Sequence, residues 1–240
     1  MKLKQFLLII APVFILYSCE IMYPCLEGNG VLTTEERAVT HFTSVNASAG
    51  FDVELIYSTD SYISVEADEN LQKYIRTYVH NGELVLETEQ GRCLRSGNRI
   101  LVTVYCPFIE AVVLSGSGDM EVSGFSADNF DIILSGSGDI DIAMLTVSER
   151  LTAKLTGSGD IMADGSANEA NFTLSGSGSI HADRFRVNNC YIVLSGSGNS
   201  YVYATSYLKV RLSGSGDVLY YGGPERVDKR ITGSGKIIQK

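Results

Sequence analysis

The sequence predicts an all-β protein, a single-stranded β-helix or β-solenoid with about 20 residues per coil. A phrase with Gly-Ser-Gly at its centre, such as LSGSGDI at 134–140, occurs in seven copies whose first glycines lie 18 to 21 residues apart. Around each copy, apolar and polar residues alternate with the period of two that is typical of a strand. We therefore expect the Gly-Ser-Gly motifs to stack at one corner, with a β-rich part before them.

The alternation is clear in the second copy. Ile132, Leu134 and Ile140 share one parity, whereas Ser135 and Asp139 have the other. An extended path of about 20 residues at roughly 3.3 Å each covers about 66 Å, enough for one turn of a solenoid. It is too short for a propeller blade, which needs about 40 residues.

The motif glycines indicate a geometric requirement, because each interior glycine costs roughly 0.5–1 kcal/mol relative to alanine. Either the backbone turns there with a positive φ, or it packs too closely to admit a Cβ atom. Both situations arise at a solenoid corner. The predicted structural turn residues are Gly116, Gly118, Gly136, Gly138, Gly157, Gly159, Gly176, Gly178, Gly196, Gly198, Gly214, Gly216, Gly233 and Gly235.

Two polar columns follow from the stacking. The middle serine of the motif is present in all seven copies, so its hydroxyls are expected to form ladders along the axis. The position after the second glycine holds aspartate at 119, 139 and 160. One hypothesis makes Asp119, Asp139 and Asp160 a calcium site of the β-roll kind. The column then changes to Ser179, Asn199, Asp217 and Lys236, which favours solvated side chains that cap the turn.

The N-terminus predicts export. Lys2 and Lys4 precede an apolar run that suits a secretory signal peptide over 1–18 and is short for a membrane span. The run ends in Leu-Tyr-Ser-Cys, which resembles a bacterial lipobox with a bulkier residue than usual at Tyr17. Cys19 is then expected to be the lipid attachment site, and the protein is predicted to be an outer-membrane lipoprotein of the cell envelope, either periplasmic or surface-exposed. A soluble secreted protein, cleaved elsewhere, is the alternative.

The rest of the chain divides into three parts. Residues 19–40 are predicted to be a linker, 41–110 an N-terminal β-rich region and 111–240 the seven-repeat β-helix. One helical turn is expected from Asp68 to Tyr74, with Asp68 as its cap. The pattern leaves open whether 41–110 forms its own sheet or the first coils of the same solenoid.

The net charge argues against one class of partner, and the cysteines indicate possible disulfides. The net charge is −9, and removal of 1–18, which holds two lysines and no acid, makes it −11. An acidic chain of this kind is not expected to bind nucleic acid. Four cysteines remain besides Cys19. Cys25, Cys93, Cys106 and Cys190 allow three disulfide connectivities. Cys93 and Cys106 flank one short strand-like run and are the favoured disulfide, and unpaired core cysteines are the alternative.

Several segments together resemble the head GIN domain family of bacterial auto-transporter adhesins. They are FDVELIYSTDSYISVEADENLQKYI, NGELVLETE, the seven Gly-Ser-Gly copies and VLYYGGP at 218–224, and the resemblance runs from about residue 41 to residue 240. The resemblance implies a β-helical fold and a cell-envelope location. It names no ligand and carries over no catalytic residue.

No catalytic motif is complete, and neither an enzyme nor a cofactor is expected. Ser206 and Lys209 have SxxK spacing without companion motifs, and the glycine-rich segment at 233–236 lacks the rest of a phosphate loop. Outward acids such as Glu121 and Asp141 recur with the repeat, whereas a catalytic pair more often interrupts one. A polysaccharide-active enzyme on a β-helix scaffold is the alternative.

An adhesive or structural binding module without catalysis is the favoured function class. Tyr191, Tyr201 and Tyr203 share the outward parity of the fifth copy and could contact a glycan or protein ligand. The favoured interpretation of these three tyrosines is that they only cover strand faces. The last copy ends at Lys240 with almost no chain left to cover it, which suggests self-association into a homo-oligomer through the last coil.

Overall fold

The computed structural model describes residues 25–90 and 92–240, and these form 19 strands. The first nine strands, before the repeats, are β1 (Leu26–Glu27), β2 (Leu32–Ala38), β3 (Ser44–Ala47), β4 (Asp52–Tyr57), β5 (Tyr62–Asp68), β6 (Ile75–His80), β7 (Glu83–Thr88), β8 (Leu94–Arg95) and β9 (Leu101–Cys106). The repeats hold β10 (Ala111–Leu114), β11 (Met120–Ser123), β12 (Ser126–Leu134), β13 (Ile140–Leu155), β14 (Ile161–Leu174), β15 (Ile180–Leu194), β16 (Ser200–Leu212), β17 (Val218–Tyr221), β18 (Arg226–Ile231) and β19 (Ile237–Gln239).

The strands stack in parallel as a β-solenoid of about six turns, with about 20 residues between stacked bridges. Strand β13, for example, lies parallel on β14, so that Ile140 pairs with Ile161 and Leu155 with Leu174, with two register shifts between these pairs. The predicted solenoid and its period are therefore confirmed. The Gly-Ser-Gly corner separates two faces in each coil. We call the face built by residues that approach the corner the pre-corner face, and the face built by residues that leave it the post-corner face.

The core lies between the two faces, and the period-two alternation fills it. The leucine that precedes each of the first six motifs is buried, as at Leu134 and Leu155. Most coils place an isoleucine, methionine or valine after the motif, also buried. The fifth coil instead holds Ser200, which is fully buried with a hydroxyl that has no hydrogen-bond partner. Inward columns of large apolar side chains therefore hold successive coils together.

The region before the repeats supplies both coils and a cap. Strands β3 and β4 lie parallel to β10 and β11, and β7 and β9 lie parallel beneath β3 and β4. Strands β2, β5 and β6 pair antiparallel with this end of the stack. The region thus continues the solenoid and also covers its N-terminal end, as terminal elements of a solenoid must.

The expected linker over 19–40 is wrong for the part that the structure describes. Residues 32–38 form β2, which pairs antiparallel with β5 along seven residues. Most residues of β2 are exposed, because it is an outer strand that buries little surface. Its sequence therefore lacks the apolar alternation that marks the inner strands.

The helical turn predicted for Asp68 to Tyr74 is also largely wrong. Asp68 ends β5, and only Gln72–Tyr74 form a short 3₁₀ helix, whose cap position is Leu71. The Asp68 carboxylate is buried and accepts hydrogen bonds from Ser96 Oγ (2.5 Å) and Asn98 Nδ2 (2.6 Å). These hydrogen bonds, that from Ser96 foremost, lower the pKa of Asp68. Its role is to join the cap to the 92–100 loop.

The disulfide links Cys25 to Cys93, so the favoured Cys93–Cys106 pairing is wrong. Strand β1 lies parallel to β8, which brings Cys25 beside Cys93 with their Cα atoms 4.4 Å apart. Cys106 is buried at the end of β9, an inner strand of the coil. Cys106 and Cys190 are free and buried. Burial raises the pKa of the Cys106 thiol to about 11 and raises that of Cys190 further still.

Candidate ligand-binding faces

The corner glycines are required by close approach and not by a left-handed backbone. A Cβ on Gly136 would lie 2.9 Å from the Ser115 carbonyl carbon and closer still to the carbonyl oxygen of Gly116, in the preceding coil. The same contact with backbone recurs at every predicted turn glycine from Gly116 to Gly235, and none of them has a positive φ. Of the two explanations that the sequence left open, the structure therefore selects the second.

The corner presents an exposed ridge of hydroxyl groups. The middle serines, such as Ser137 and Ser158, all lie exposed on it. In the part of the chain that the structure describes, a hydroxyl-to-hydroxyl bond joins one stacked pair, Ser215 and Ser234, at 3.2 Å. The serines therefore line a polar edge between the two faces without forming the continuous ladder that the sequence suggested.

The aspartate column caps backbone groups between coils. The Asp160 N–H donates to Asp139 Oδ1 at 2.7 Å, and the Asp139 N–H donates to Asp119 Oδ1 at 2.9 Å. Ser179 and Asn199 continue the column with their own side-chain oxygens. The full column is Asp52, Asp119, Asp139, Asp160, Ser179, Asn199, Asp217 and Lys236.

This bonding explains the composition of the column. Each coil needs a short side chain with an acceptor oxygen, which aspartate, asparagine and serine all provide. The Lys236 N–H donates to Asp217 Oδ1, and the Lys236 side chain has no acceptor with which to extend the column. Among residues 25–90 and 92–240, no cluster of three or more His, Cys, Asp or Glu side chains is arranged to hold a metal ion.

The three candidate tyrosines do not form one site. Tyr191 lies on the pre-corner face, opposite Lys209 of the next coil. Tyr201 and Tyr203 follow the corner and lie on the post-corner face, where Tyr201 stacks on His181 with ring centroids 4.7 Å apart. Parity along the chain could not show this separation, because the corner between 194 and 200 turns the strand onto another face.

Tyr191 belongs to a basic surface on the last three coils of the pre-corner face. Its ring packs edge-to-face against Tyr207 at 5.8 Å, and the Arg226 guanidinium lies 5.3 Å from the Tyr207 ring centroid. A shallow groove of about 200 Å³ lies beside Tyr191, with Lys209 and Arg211 in its lining. We call this surface the basic strip; it consists of Tyr191, Tyr207, Lys209, Arg211, Arg226 and Arg230.

The arginines from Arg184 onward, which include those of the strip, differ in their pairing from the six earlier ones. Each of the six arginines from Arg37 to Arg150 has a carboxylate within 4.0 Å, as Arg150 has Glu169 at 2.7 Å. Within the described residues, Arg211, Arg226 and Arg230 have no such partner. Cations that no carboxylate of their own chain neutralises are available to an anionic ligand.

Sequence reasoning missed the basic strip, although the distribution of charge contains a signal for it. Residues 100–149 hold eight acidic and no basic side chains, a net charge of −8. Residues 184–240 hold nine basic and three acidic side chains, a net charge of +6. The overall charge of −9 conceals this polarity along the axis.

The post-corner face carries a larger open groove of about 380 Å³. Its lining includes Asp141, Asp164, Asp183, His181 and Arg184. His181 Nε2 lies 3.8 Å from Asp160 Oδ2, an ion pair only when the histidine is protonated. This groove has room for a small polar ligand. Its acidic side chains come from stacked coils, where a residue in register can carry the opposite charge, as Arg184 does beside Asp164.

Two sequence predictions concern membranes. Cys19, the predicted lipid attachment site, lies outside the described residues, as does the predicted signal peptide over 1–18. Among the residues that are described, no helix has both the length and the apolar character that a membrane crossing requires.

The fold defines a parallel β-solenoid with an N-terminal antiparallel cap. Residues 41–224 match the family described as "Putative auto-transporter adhesin, head GIN domain". The chain belongs to this family, which confirms the resemblance found in the sequence. The adhesin description of the family suggests a cell-envelope or surface protein and fits a non-catalytic role.

Solved structures of other bacterial proteins share the fold. A putative adhesin from Bacteroides fragilis is 24% identical with a TM-score of 0.84, and a putative lipid binding protein from Parabacteroides distasonis is 26% identical with a TM-score of 0.74. A putative adhesin from Parabacteroides merdae is 22% identical with a TM-score of 0.68. Each match covers 90% of this chain, and 100%, 100% and 98% of those chains. No curated protein matches the chain significantly.

Proposed function

We propose that the protein is a lipid-anchored adhesin of the outer membrane that binds its ligand without catalysis. The observation that carries this proposal is the basic strip on the last three coils, where tyrosines lie beside arginines that form no ion pair with a carboxylate of the described residues. Family membership and the adhesin descriptions of the similar structures support it. A flat array of repeated side chains suits binding of an extended partner.

The position of the anchor supports the same proposal. Cys19 precedes Cys25 by six residues, and the disulfide holds Cys25 at the capped N-terminal end of the solenoid. About six turns at roughly 4.8 Å place the last coil about 30 Å from that end. An anchor at Cys19 therefore presents the basic strip away from the membrane.

A membrane fractionation tests the anchor. Cys19→Ala in the full-length protein is expected to move it from the membrane pellet to the soluble fraction, because two or more acyl chains hold a protein stably and none remain. Cys25→Ala serves as the matched control and should stay in the pellet. Retention of the Cys19→Ala protein would contradict the anchor.

A whole-cell assay tests the adhesin function. Cells that produce the wild-type protein should adhere to glycan- or matrix-coated surfaces more strongly than cells that produce Cys19→Ala, because the released protein cannot link the cell to the surface. Equal adhesion by the two strains would reject the function.

Lipid binding, named for one of the similar structures, is a second candidate function. The solenoid interior offers little support for it, since Phe125, Phe130, Phe185 and the leucine columns are fully buried against one another. A lipid would have to bind at the surface through its headgroup. Binding of the protein to anionic vesicles would distinguish this function from the binding of a polysaccharide.

Self-association through the last coil is less favoured than the sequence suggested. Two inward positions of that coil hold polar side chains: Lys229 Nζ donates to Tyr220 Oη at 3.0 Å, and Tyr220 Oη donates to Gln239 Oε1 at 3.1 Å. Inward-pointing charges protect edge strands from pairing. We expect a monomer, and a dimeric mass in light scattering would contradict this.

A further inference from the structure

We propose that the basic strip binds a linear acidic polysaccharide, one that bears carboxylate or sulfate groups, along the axis of the solenoid. This inference rests on the binding function proposed above and assigns its site and its ligand class. The contacts would be made by Tyr191, Tyr207, Lys209, Arg211, Arg226 and Arg230.

Register places the strip's polar groups on a regular grid. Tyr207, Lys209 and Arg211 alternate along β16 and so project from the same face, about 6.7 Å apart. In the next coil, Arg226 lies beside Tyr207 and Arg230 beside Arg211, at the coil spacing of roughly 4.8 Å. Such a grid presents cations at intervals comparable with the length of one sugar unit, so successive acidic sugars can meet successive coils.

The positive charges of the basic strip attract an acidic polysaccharide. Lys209, Arg211, Arg226 and Arg230 contribute four positive charges, and the acid within the grid is Asp228, in register with Lys209. Arg211, Arg226 and Arg230 are exposed, and no carboxylate of the described residues pairs with them. Guanidinium groups form bidentate hydrogen bonds with carboxylate or sulfate oxygens.

The two tyrosines favour a sugar over a simple anion. Tyr191 and Tyr207 are partly exposed and pack against each other edge-to-face, so they hold their positions without a ligand. Arg226 above Tyr207 fixes a cation against the ring. Partly exposed rings next to cations can contact the apolar face of a sugar while the arginines bind its acid groups.

The dimensions of the strip favour a single polymer chain over an anionic membrane. Its three coils span about 10 Å, whereas a bilayer surface would also meet the neighbouring coils. Beyond the coils adjacent to the strip, residues 100–149 carry a net charge of −8 and would be repelled. The strip also lies at the end of the solenoid opposite the proposed anchor.

The test measures binding of the detergent-solubilised full-length protein to polygalacturonate and to heparin, with neutral dextran and phosphatidylglycerol–phosphatidylcholine vesicles for comparison. The strip variant carries Lys209→Gln, Arg211→Gln and Arg230→Gln. The matched control removes three cations beyond the corner, with Arg184→Gln, Arg186→Gln and Lys236→Gln. Circular dichroism melting establishes that both variants fold.

The wild-type protein should bind at least one acidic polysaccharide and not dextran. The strip variant should bind at least about tenfold more weakly, with a shallower salt dependence, while the control changes by less than about twofold. Equal losses in both variants would overturn the assignment of the site. Strip-dependent binding to vesicles but not to polysaccharide would overturn the ligand class in favour of an anionic lipid surface.

Failure of the proposed ligand class can be told apart from failure of the proposed adhesin function. If the protein binds neither acidic polysaccharide while cells that carry it still adhere, the ligand class is wrong and the adhesin function stands. If the polysaccharides bind through the strip but cells that carry the protein do not adhere, the site stands and the adhesin function fails.

Discussion

A single corner glycine should be indispensable to the stack, and Gly176→Ala tests this. The added Cβ would lie 2.9 Å from the Thr156 carbonyl carbon and 3.0 Å from that of Gly157, and closer still to the Gly157 oxygen. These neighbours are backbone atoms of the preceding coil and cannot rotate away. The two coils would have to separate locally by on the order of 1 Å to restore ordinary contact.

That separation breaks specific hydrogen bonds. The Ser177 N–H donates to the Gly157 carbonyl at 3.1 Å, and an added ångström takes this pair beyond bonding distance. One lost bond costs about 0.5–1.5 kcal/mol, and overpacking adds about 1–3 kcal/mol. We therefore expect Gly176→Ala to lower the free energy of unfolding by about 2–4 kcal/mol, a large share of the 5–15 kcal/mol typical of a domain.

Urea unfolding followed by far-ultraviolet circular dichroism measures this loss. Gly97→Ala is the matched control, because nothing lies within 4 Å of a Cβ at Gly97 and its φ is not in the left-handed region. It should be neutral or slightly stabilising. If Gly176→Ala unfolds within about 0.5 kcal/mol of Gly97→Ala, close approach is not the reason for the corner glycines.

Four further changes test other parts of the fold. Asp139→Ala leaves the N–H of the next coil without its acceptor and should lower stability by about 0.5–1.5 kcal/mol in urea unfolding, whereas Asp139→Asn keeps the acceptor and should match the wild type. Ser200→Val removes a buried hydroxyl without a partner and should raise the melting temperature; a lower value would mean that the site has no room for the two methyl groups. Reduction of Cys25–Cys93, which are 68 residues apart, should lower stability by about 4 kcal/mol on the chain-entropy account, and dithiothreitol should have no such effect on Cys25→Ser. Asp68 has a lowered pKa in the folded protein, so its contribution is complete above about pH 4 and is lost as the pH falls through the folded value. Melting temperatures between neutral and acidic pH should therefore fall less for Asp68→Asn than for the wild type.

Local repetition made the coils predictable. Each Gly-Ser-Gly copy carries the same geometric requirement, and the alternation around it gives the strand and its inward side. The N-terminal cap was less predictable, because β2 is an outer strand without an apolar pattern and Asp68 acts through partners about 30 residues away. The disulfide depends on the pairing of β1 with β8, a contact between distant segments that spacing alone cannot reveal.

The candidate surface was predictable only in part. Tyr191 was found from its parity, but its true neighbours are Tyr207 and Lys209 of the next coil, not Tyr201 and Tyr203. Repeats of 18 to 21 residues carry small register shifts, so the exact stacking of side chains requires coordinates. That no carboxylate of the described residues forms an ion pair with the strip arginines, on which the ligand proposal depends, is likewise a three-dimensional property.

Engineered disulfides between corner serines test the stacking most directly. Ser158→Cys with Ser177→Cys places two thiols on adjacent coils at roughly 4.8 Å, within the 4.4–6.8 Å range of Cα separations in disulfides. Ser137→Cys with Ser177→Cys spans two coils, about 9.6 Å, and cannot close. Under mild oxidation the account predicts an intramolecular cross-link, seen by mass spectrometry, in the first variant and free thiols in the second. Free thiols in the first variant, or equal cross-linking in both, would contradict it.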